Sequence, residues 1–391
     1  VTIRKILWHS VAPWWGTGYG QQTAVWVPRL ASLGYEVAIS AFSGLTGSPQ
    51  EWQGHRVYAP GNDPYGADVL AHHARHFGAD LVITLLDVYA LDPEPWADEL
   101  AGKVASWMPI DCDDGGGLIS RHISLSDELR LRQSAVQPVA MSRFGENQLR
   151  RQGHKPLYVP HGIDCSVFRP PPDKRALKAA AGLDGKFVIG INATNIGNLN
   201  RKAWPEQLAA FAKLHRRHPD TVLLAHTGKH GGKIGLNLGN MVHDMGIREA
   251  VQFSDQYMYR AGLVDQAMLA GTYGLMDLLS ACSLAEGFGL PIAEAQACGV
   301  PTVVTDFSAM SEVGCGWKVQ GAPYWSVIHN AYWRMPPVDA IHRAYENAYE
   351  LWRRGVLGSK RKAAREHALR YDADTVLTDY WKPVLEELGE R

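Results

Sequence analysis

The sequence predicts an α/β protein built from two Rossmann-like, doubly wound domains. Three observations carry that prediction. Apolar runs of strand length alternate with amphipathic runs of helix length from end to end, the pattern of parallel sheets covered by helices. The chain has 391 residues, enough for two or three domains at roughly 100 to 200 residues each. The alternation is interrupted at Phe168-Arg-Pro-Pro-Pro-Asp173, where three prolines remove backbone donors and favour an extended linker. It restarts with a fresh strand near Phe187.

In the first half, strands are expected at Ile3–Trp8, Glu36–Ala41, Leu81–Thr84, Val104–Met108, Val139–Met141 and Leu157–Val159. In the second they are expected at Phe187–Asn192, Val222–Ala225, Val251–Phe253, Leu278–Ser280 and Thr302–Thr305. The linker divides residues 1–170 from 171–372, and each half should carry its own doubly wound sheet. Two such halves facing each other place the carboxyl ends of both sheets, where α/β ligands sit, around a shared cleft. Residues 373–391 read as a closing helix, with Tyr380, Trp381, Val384, Leu385 and Leu388 at near-helical spacing. The stretch Trp317 to Trp333 is rich in aromatic residues but carries no readable motif.

Composition narrows the function. Hydrophobic residues at 46% and charged residues at 20% fit a soluble globular chain rather than a disordered, collagenous or coiled-coil one. Lys+Arg 39 against Asp+Glu 40 leaves a formal net charge of −1, so neither a nucleic-acid footprint nor a polybasic membrane surface is expected. No stretch approaches ~18 consecutive apolar residues, so no membrane span is expected, and Val1 to Trp8 lacks the apolar core of a signal peptide. Cys112, Cys165, Cys282, Cys298 and Cys315 include no C-x-x-C pair, against a disulfide framework or a cysteine zinc site. A cytoplasmic location is the expectation.

The sharpest motif is Glu286-Gly-Phe-Gly-Leu-Pro-Ile-Ala-Glu294, followed by Ala295-Gln-Ala-Cys-Gly-Val-Pro301 and a strand running to Asp306. Gly287 and Gly289 let the backbone approach a ligand, and Pro291 is placed to open a helix. The free N–H groups of that helix start suit a diphosphate. Two carboxylates at this separation can grip hydroxyls at opposite ends of one ligand.

This segment resembles glycosyltransferase family 4 of the GT-B fold, retaining enzymes that use nucleotide sugars and carry two glutamates separated by seven residues. The likeness extends over most of the chain, including His161-Gly-Ile-Asp164 with Phe168 and Pro170, and Ser142 after the last strand of the first domain. It implies that Glu286 holds hydroxyls of the donor sugar, that Glu294 holds the ribose, and that Gly287, Phe288, Gly289 and Leu290 line the diphosphate. It also implies a donor domain at 171–372, an acceptor domain at 1–170, and a terminal helix 373–391 that crosses back to the latter.

The first strand-to-helix loop, Gly16-Thr-Gly-Tyr-Gly20, is G-x-G-x-G rather than the dinucleotide G-x-G-x-x-G. The second strand lacks a terminal acid for a ribose, so an oxidoreductase is not expected. By resemblance Gly16 and Gly18 cover the donor phosphates and sugar; a plain tight turn is the other reading. Trp14 and Trp15 beside it could stack on a sugar or base, or crowd a core.

Asn200-Arg-Lys202 follows the first strand of the second domain. The resemblance puts Lys202 on the donor diphosphate. The usual arginine position, near Ile196 to Asn198, holds none here; Arg201 either supplies that charge or faces solvent.

Other motifs are weaker. Asp111-Cys-Asp113-Asp114 contains a D-x-D but lies in the first half, so no metal is assigned to it; Asp111 is instead the expected acceptor-side polar residue. Gly228-Lys-His-Gly-Gly-Lys233 departs from a phosphate loop at both ends and reads as a surface loop near the base. The 16 histidines include no H-E-x-x-H pair, and no G-x-S-x-G elbow supports a hydrolase.

The expected protein is a metal-independent hexosyltransferase with no cofactor beyond its UDP- or GDP-sugar substrate and an unidentified acceptor. Lys202, Arg201 and the helix start are placed to stabilise the leaving diphosphate, and the resemblance implies same-face attack that requires no protein nucleophile. A nucleotide-sugar epimerase of the same fold and a non-catalytic nucleotide-sugar binder are the alternatives.

Overall fold

A computed structural model describes residues 2–45, 50–113, 136–196, 200–232, 235–327, 329 and 331–390. Two compact units emerge. The first comprises Val1–Gly162, Ser326–Tyr332 and Tyr371–Arg391, and the second Ile163–Trp325 and Trp333–Arg370.

The first unit is built on an eight-stranded sheet. Its strands are β1 (Lys5–Val11), β2 (Glu36–Ser43), β3 (Gln50–Trp52), β4 (His55–Tyr58), β5 (Leu81–Leu85), β6 (Val104–Met108), β7 (Val136–Ala140) and β8 (Leu157–Tyr158). They lie in the order β3-β4-β2-β1-β5-β6-β7-β8, all parallel except β3, which is antiparallel to β4. Every expected strand of this half is present. The β3–β4 hairpin was not expected, because Gln-Glu-Trp and His-Arg-Val-Tyr are short and mostly polar, as sheet-edge strands can be. Its turn is nonetheless written in the chain: Gln53 and Gly54 have φ of 49° and 81°, the two positive values of a type I′ hairpin.

Four buried tryptophans of the first unit pack together. Trp107 lies 6.0 Å from Trp8, 6.3 Å from Trp26 and 5.2 Å from Trp381 between ring centroids, all edge-on. Trp381 also meets Trp8 at 6.1 Å and Trp26 at 5.9 Å. The C-terminal segment is therefore part of this core. It is not the continuous helix expected: Ala373–Val376 and Lys382–Glu390 are α-helical, but Leu377–Trp381 is a π turn, which re-aims Trp381 by widening one turn of the ladder. The close approach needs Gly162, where a Cβ would sit 2.6 Å from Trp26 Cζ2 and 3.0 Å from the Ala373 Cα. Burial pushes the neighbouring His161 down to about 3; its neutral ring shares Gln22 Oε1 (2.8 Å) with Trp26 Nε1 (2.9 Å).

The second unit holds a parallel six-stranded sheet of β9 (Phe187–Asn192), β10 (Thr221–His226), β11 (Val251–Phe253), β12 (Leu278–Ala281), β13 (Thr302–Thr305) and β14 (Gly316–Val319). The order β11-β10-β9-β12-β13-β14 is the doubly wound 3-2-1-4-5-6 arrangement, whose direction of winding reverses between β9 and β12. Ligands of open α/β sheets sit at the carboxyl ends of strands at such a reversal. The edge strand β14 escaped the sequence because Gly-Trp-Lys-Val is not an apolar run. The aromatic stretch after it forms a two-stranded ribbon, β15 (Ala322–Ser326) with β16 (Ala331–Met335). No helix among the described residues is long and apolar enough to cross a membrane.

Candidate active site

In the second unit, Arg201 and Lys202 follow β9 and Glu286 follows β12, so the reversal point brings together residues 84 and 85 positions apart. The segment 200–203 is fixed locally. Asn200 Oδ1 accepts from the Trp204 amide at 3.1 Å, Gln207 Nε2 donates to the Lys202 carbonyl at 2.7 Å, and Ala203 takes a left-handed φ of 46° ahead of the helix Trp204–Arg217. Arg201 Nη1 donates to Glu286 Oε2 at 2.9 Å and to the Ala285 carbonyl at 2.7 Å, so the guanidinium is turned onto Glu286 although the side chain is 32% exposed. Lys202 Nζ donates to Glu286 Oε1.

Glu286 is itself held from both sides. Ser283 Oγ donates to its Oε1 at 2.6 Å, and its own amide donates to Ser308 Oγ at 3.0 Å. Ser308 has a φ of 51°, a left-handed conformation that is unusual outside glycine. Burial alone would raise the Glu286 pKa, but the charges and hydrogen bonds of Lys202 and Arg201 overcome it and hold the carboxyl at about 2. The group is ionised throughout the physiological range.

Downstream, Gly289 (φ 98°) precedes the helix Leu290–Ala297, with Pro291 in its first turn. Gly287 and Gly289 are half-buried, while Phe288 and Leu290 are buried. Glu294 lies on that helix and is buried, 3% exposed. Its Oε2 accepts from the Tyr273 hydroxyl at 2.7 Å, which in turn accepts from Asn192 Nδ2 at 2.6 Å. Burial raises the Glu294 pKa to about 7 against a smaller lowering by the Tyr273 hydrogen bond. Tyr273 and Asn192 were not singled out in the sequence; no local spacing links them to Glu294.

The two glutamates therefore bear on stability in opposite ways. Between pH 4.5 and 7 the folded state holds a proton on Glu294 that the unfolded chain has released, so stability falls as pH rises through that window. The full loss is on the order of 3 kcal/mol. Glu286, with its lowered pKa, contributes stability that is present above pH 4.5 and lost as pH falls towards 2. Glu294→Gln should thus flatten the decline in urea-unfolding free energy between pH 5 and 8, and an unchanged decline would contradict the buried-acid assignment.

The remaining expected residues lie elsewhere. In the first unit, Gly16 and Gly18 are exposed and Gly18 opens the helix Gly18–Ser32, capped by Thr17. The glycine demanded by close approach is Gly20, where a Cβ would fall 2.2 Å from the Trp15 carbonyl oxygen. Trp14 and Trp15 are 39% and 50% exposed, which removes the core reading of both. Asp111 follows β6 and is half-buried, and Asp113 exchanges backbone hydrogen bonds of 3.1 and 3.0 Å with Tyr332. Asp87, just beyond β5, accepts from the hydroxyls of Tyr19 and Tyr89. It is an acid at a strand's carboxyl end that the sequence reading passed over. In the second unit Gly228 is tied by its carbonyl to Asn195 Nδ2 at 2.9 Å. Residues 197–199, Asp114, Lys233 and Ile234 lie outside the described residues.

Residues 191–322 match the family model described as Glycosyl transferases group 1, a span that contains Arg201, Lys202, Glu286 and Glu294. The chain is 32% identical over 155 residues to a D-inositol 3-phosphate glycosyltransferase of Segniliparus rotundus, covering 37% of this chain and 30% of that protein. It is 30% identical over 164 residues to the lipopolysaccharide core biosynthesis mannosyltransferase LpsB of Rhizobium meliloti, covering 40% and 42%. The chain thus spans about a third of the length of the first curated relatives it matches. Among solved structures, sucrose-phosphate synthase from Thermosynechococcus elongatus aligns with a TM-score of 0.73 at 16% identity, over 98% of this chain and 99% of that one. Anabaena HepE in complex with UDP-glucose aligns at 0.69 and 15% identity, over 97% and 99%. The fold is the GT-B fold, and the match to the group 1 family model falls within the second unit.

Proposed function

We propose that this chain is a retaining glycosyltransferase of family 4 type, moving a sugar from a UDP- or GDP-sugar to an acceptor without a metal. The observation that carries the reading is the Glu286–Arg201–Lys202 cluster at the carboxyl ends of β9 and β12, beside the start of the helix Leu290–Ala297. As the bond from sugar to phosphate breaks, negative charge grows on the diphosphate and positive charge on the sugar ring. The two cations and the helix-start amides meet the first, and the ionised Glu286 meets the second. The diphosphate competes with Glu286 for Arg201 and Lys202, while Ser283 keeps its hydrogen bond to the carboxylate. Glu294 serves the ribose. The first unit takes the acceptor, with Asp111 its nominated polar contact. That an Anabaena protein of this fold binds UDP-glucose supports the donor class.

The test is incubation of the protein with UDP- and GDP-sugars, with and without a panel of sugar, lipid and inositol phosphate acceptors, followed by mass spectrometry. A transfer product of unchanged anomeric configuration is expected; an epimer formed without acceptor, or bound donor with no turnover, would replace this reading. Turnover should also survive EDTA. A rate that collapses on chelation and returns with Mg²⁺ or Mn²⁺ would overturn the metal-independent mechanism and return attention to Asp111 and Asp113.

A further inference from the structure

The second unit carries a second cluster of chemistry at the opposite end of the helix that Lys202 precedes. That helix, Trp204–Arg217, has 14 residues and is about 21 Å long, and His218 caps its far end. There His218 Nε2 lies 2.9 Å from Glu346 Oε2, and one ligand atom each from His218, Glu346 and Glu350 fall within 4.8 Å of one another. Glu346 and Glu350 are four residues apart on the helix Val338–Arg353 and so share a face. The His218 ring is fixed by stacking on Tyr349, with centroids 4.0 Å apart and planes at 25°. Tyr349 is anchored in turn by its hydroxyl on Asp220 at 3.0 Å.

One buried atom of this cluster and one beside it lack a hydrogen bond. Glu346 Oε1 is buried with His342 Nε2 3.4 Å and Arg217 Nη1 3.0 Å away, yet neither approach has hydrogen-bond geometry, and His342 Nε2 is itself buried without a hydrogen-bond partner. Buried polar atoms are nearly always paired in folded proteins, so two adjacent exceptions, one of them a carboxylate oxygen, call for an explanation.

We propose that His218, Glu346 and Glu350 form a zinc-type divalent-cation site that clamps the helix Trp204–Arg217 to the helix Val338–Arg353. One imidazole nitrogen and two carboxylates, with a fourth position for water, suit four-coordinate zinc at about 2.0–2.2 Å per ligand. The edge of such a tetrahedron is roughly 3.3–3.5 Å, so the 2.9 Å between His218 and Glu346 needs only a small opening. His342 then donates to the free oxygen of Glu346 and orients it. Arg217 and Arg353 now face Glu346 and Glu350, but their side chains are 65% and 61% exposed and can turn outward at little cost. The site stands far from Glu286 and is structural, so it does not bear on the metal independence of turnover. The sequence hid it because its ligands come from positions 218, 346 and 350.

Metal-free full-length protein titrated with ZnCl₂ by calorimetry and thermal melting is the test. One zinc per chain and a raised melting temperature are expected. Glu346→Gln and Glu350→Gln should abolish the binding, and His342→Ala should weaken it about 10- to 100-fold. Glu350 is partly exposed, its side chain 42% accessible, so its variant remains informative if Glu346→Gln fails to fold. No stoichiometric binding, or binding undiminished in Glu350→Gln, overturns the site.

Discussion

Replacing Glu286 with glutamine is expected to lower kcat by roughly one to two powers of ten while leaving affinity for the free nucleoside diphosphate nearly unchanged. The carboxylate contributes charge-assisted hydrogen bonds of about 1.5 to 3 kcal/mol each, and in the proposed reaction they act on the sugar, which the free nucleotide lacks. Glutamine keeps the shape and can still accept from Ser283, but it no longer neutralises Arg201 and Lys202. Freed of that carboxylate, the cations should hold a diphosphate at least as tightly as before. Glu294→Ala should behave in the opposite sense, weakening the free nucleotide and the nucleotide sugar together. Calorimetry on both variants decides the matter: equal losses of free-nucleotide affinity would mean that the two glutamates have been assigned in the wrong order.

The second large effect is on stability. Trp381→Ala should cost about 3 to 5 kcal/mol, since the ring is fully buried and meets Trp8, Trp26 and Trp107 edge-on. Denaturant unfolding followed by tryptophan fluorescence includes this cluster among its 13 emitters, and a loss below about 1 kcal/mol would deny the terminal segment its place in the first unit's core. Because a chain of two units need not unfold in one step, the loss is expected in the transition that carries the fluorescence change.

What could be read from the chain follows burial. The central strands β1, β5, β6, β9 and β12 are buried along nearly their whole length and appear in the sequence as predominantly apolar runs. The edge strands β3 and β14, and the short β4 beside β3, carry polar residues that erased that signal. The Glu286–Glu294 spacing was legible because it is local. The partners that set the character of each glutamate were not: Arg201 and Lys202 reach Glu286 across more than 80 residues, and Tyr273 reaches Glu294 from a neighbouring helix. Two carboxyls eight residues apart in sequence thus acquire pKa values of about 2 and about 7, a difference made by burial and tertiary neighbours.

The placement of Trp381 has a consequence for how the protein is made. During synthesis the strands β1 to β8 emerge first, but the tryptophan that closes their core is translated after the whole second unit. The first unit should therefore remain incompletely consolidated on the ribosome while the second, whose sheet and covering helices lie within Ile163–Arg370, can fold ahead of it. The half of the molecule that is born first is the last to be finished.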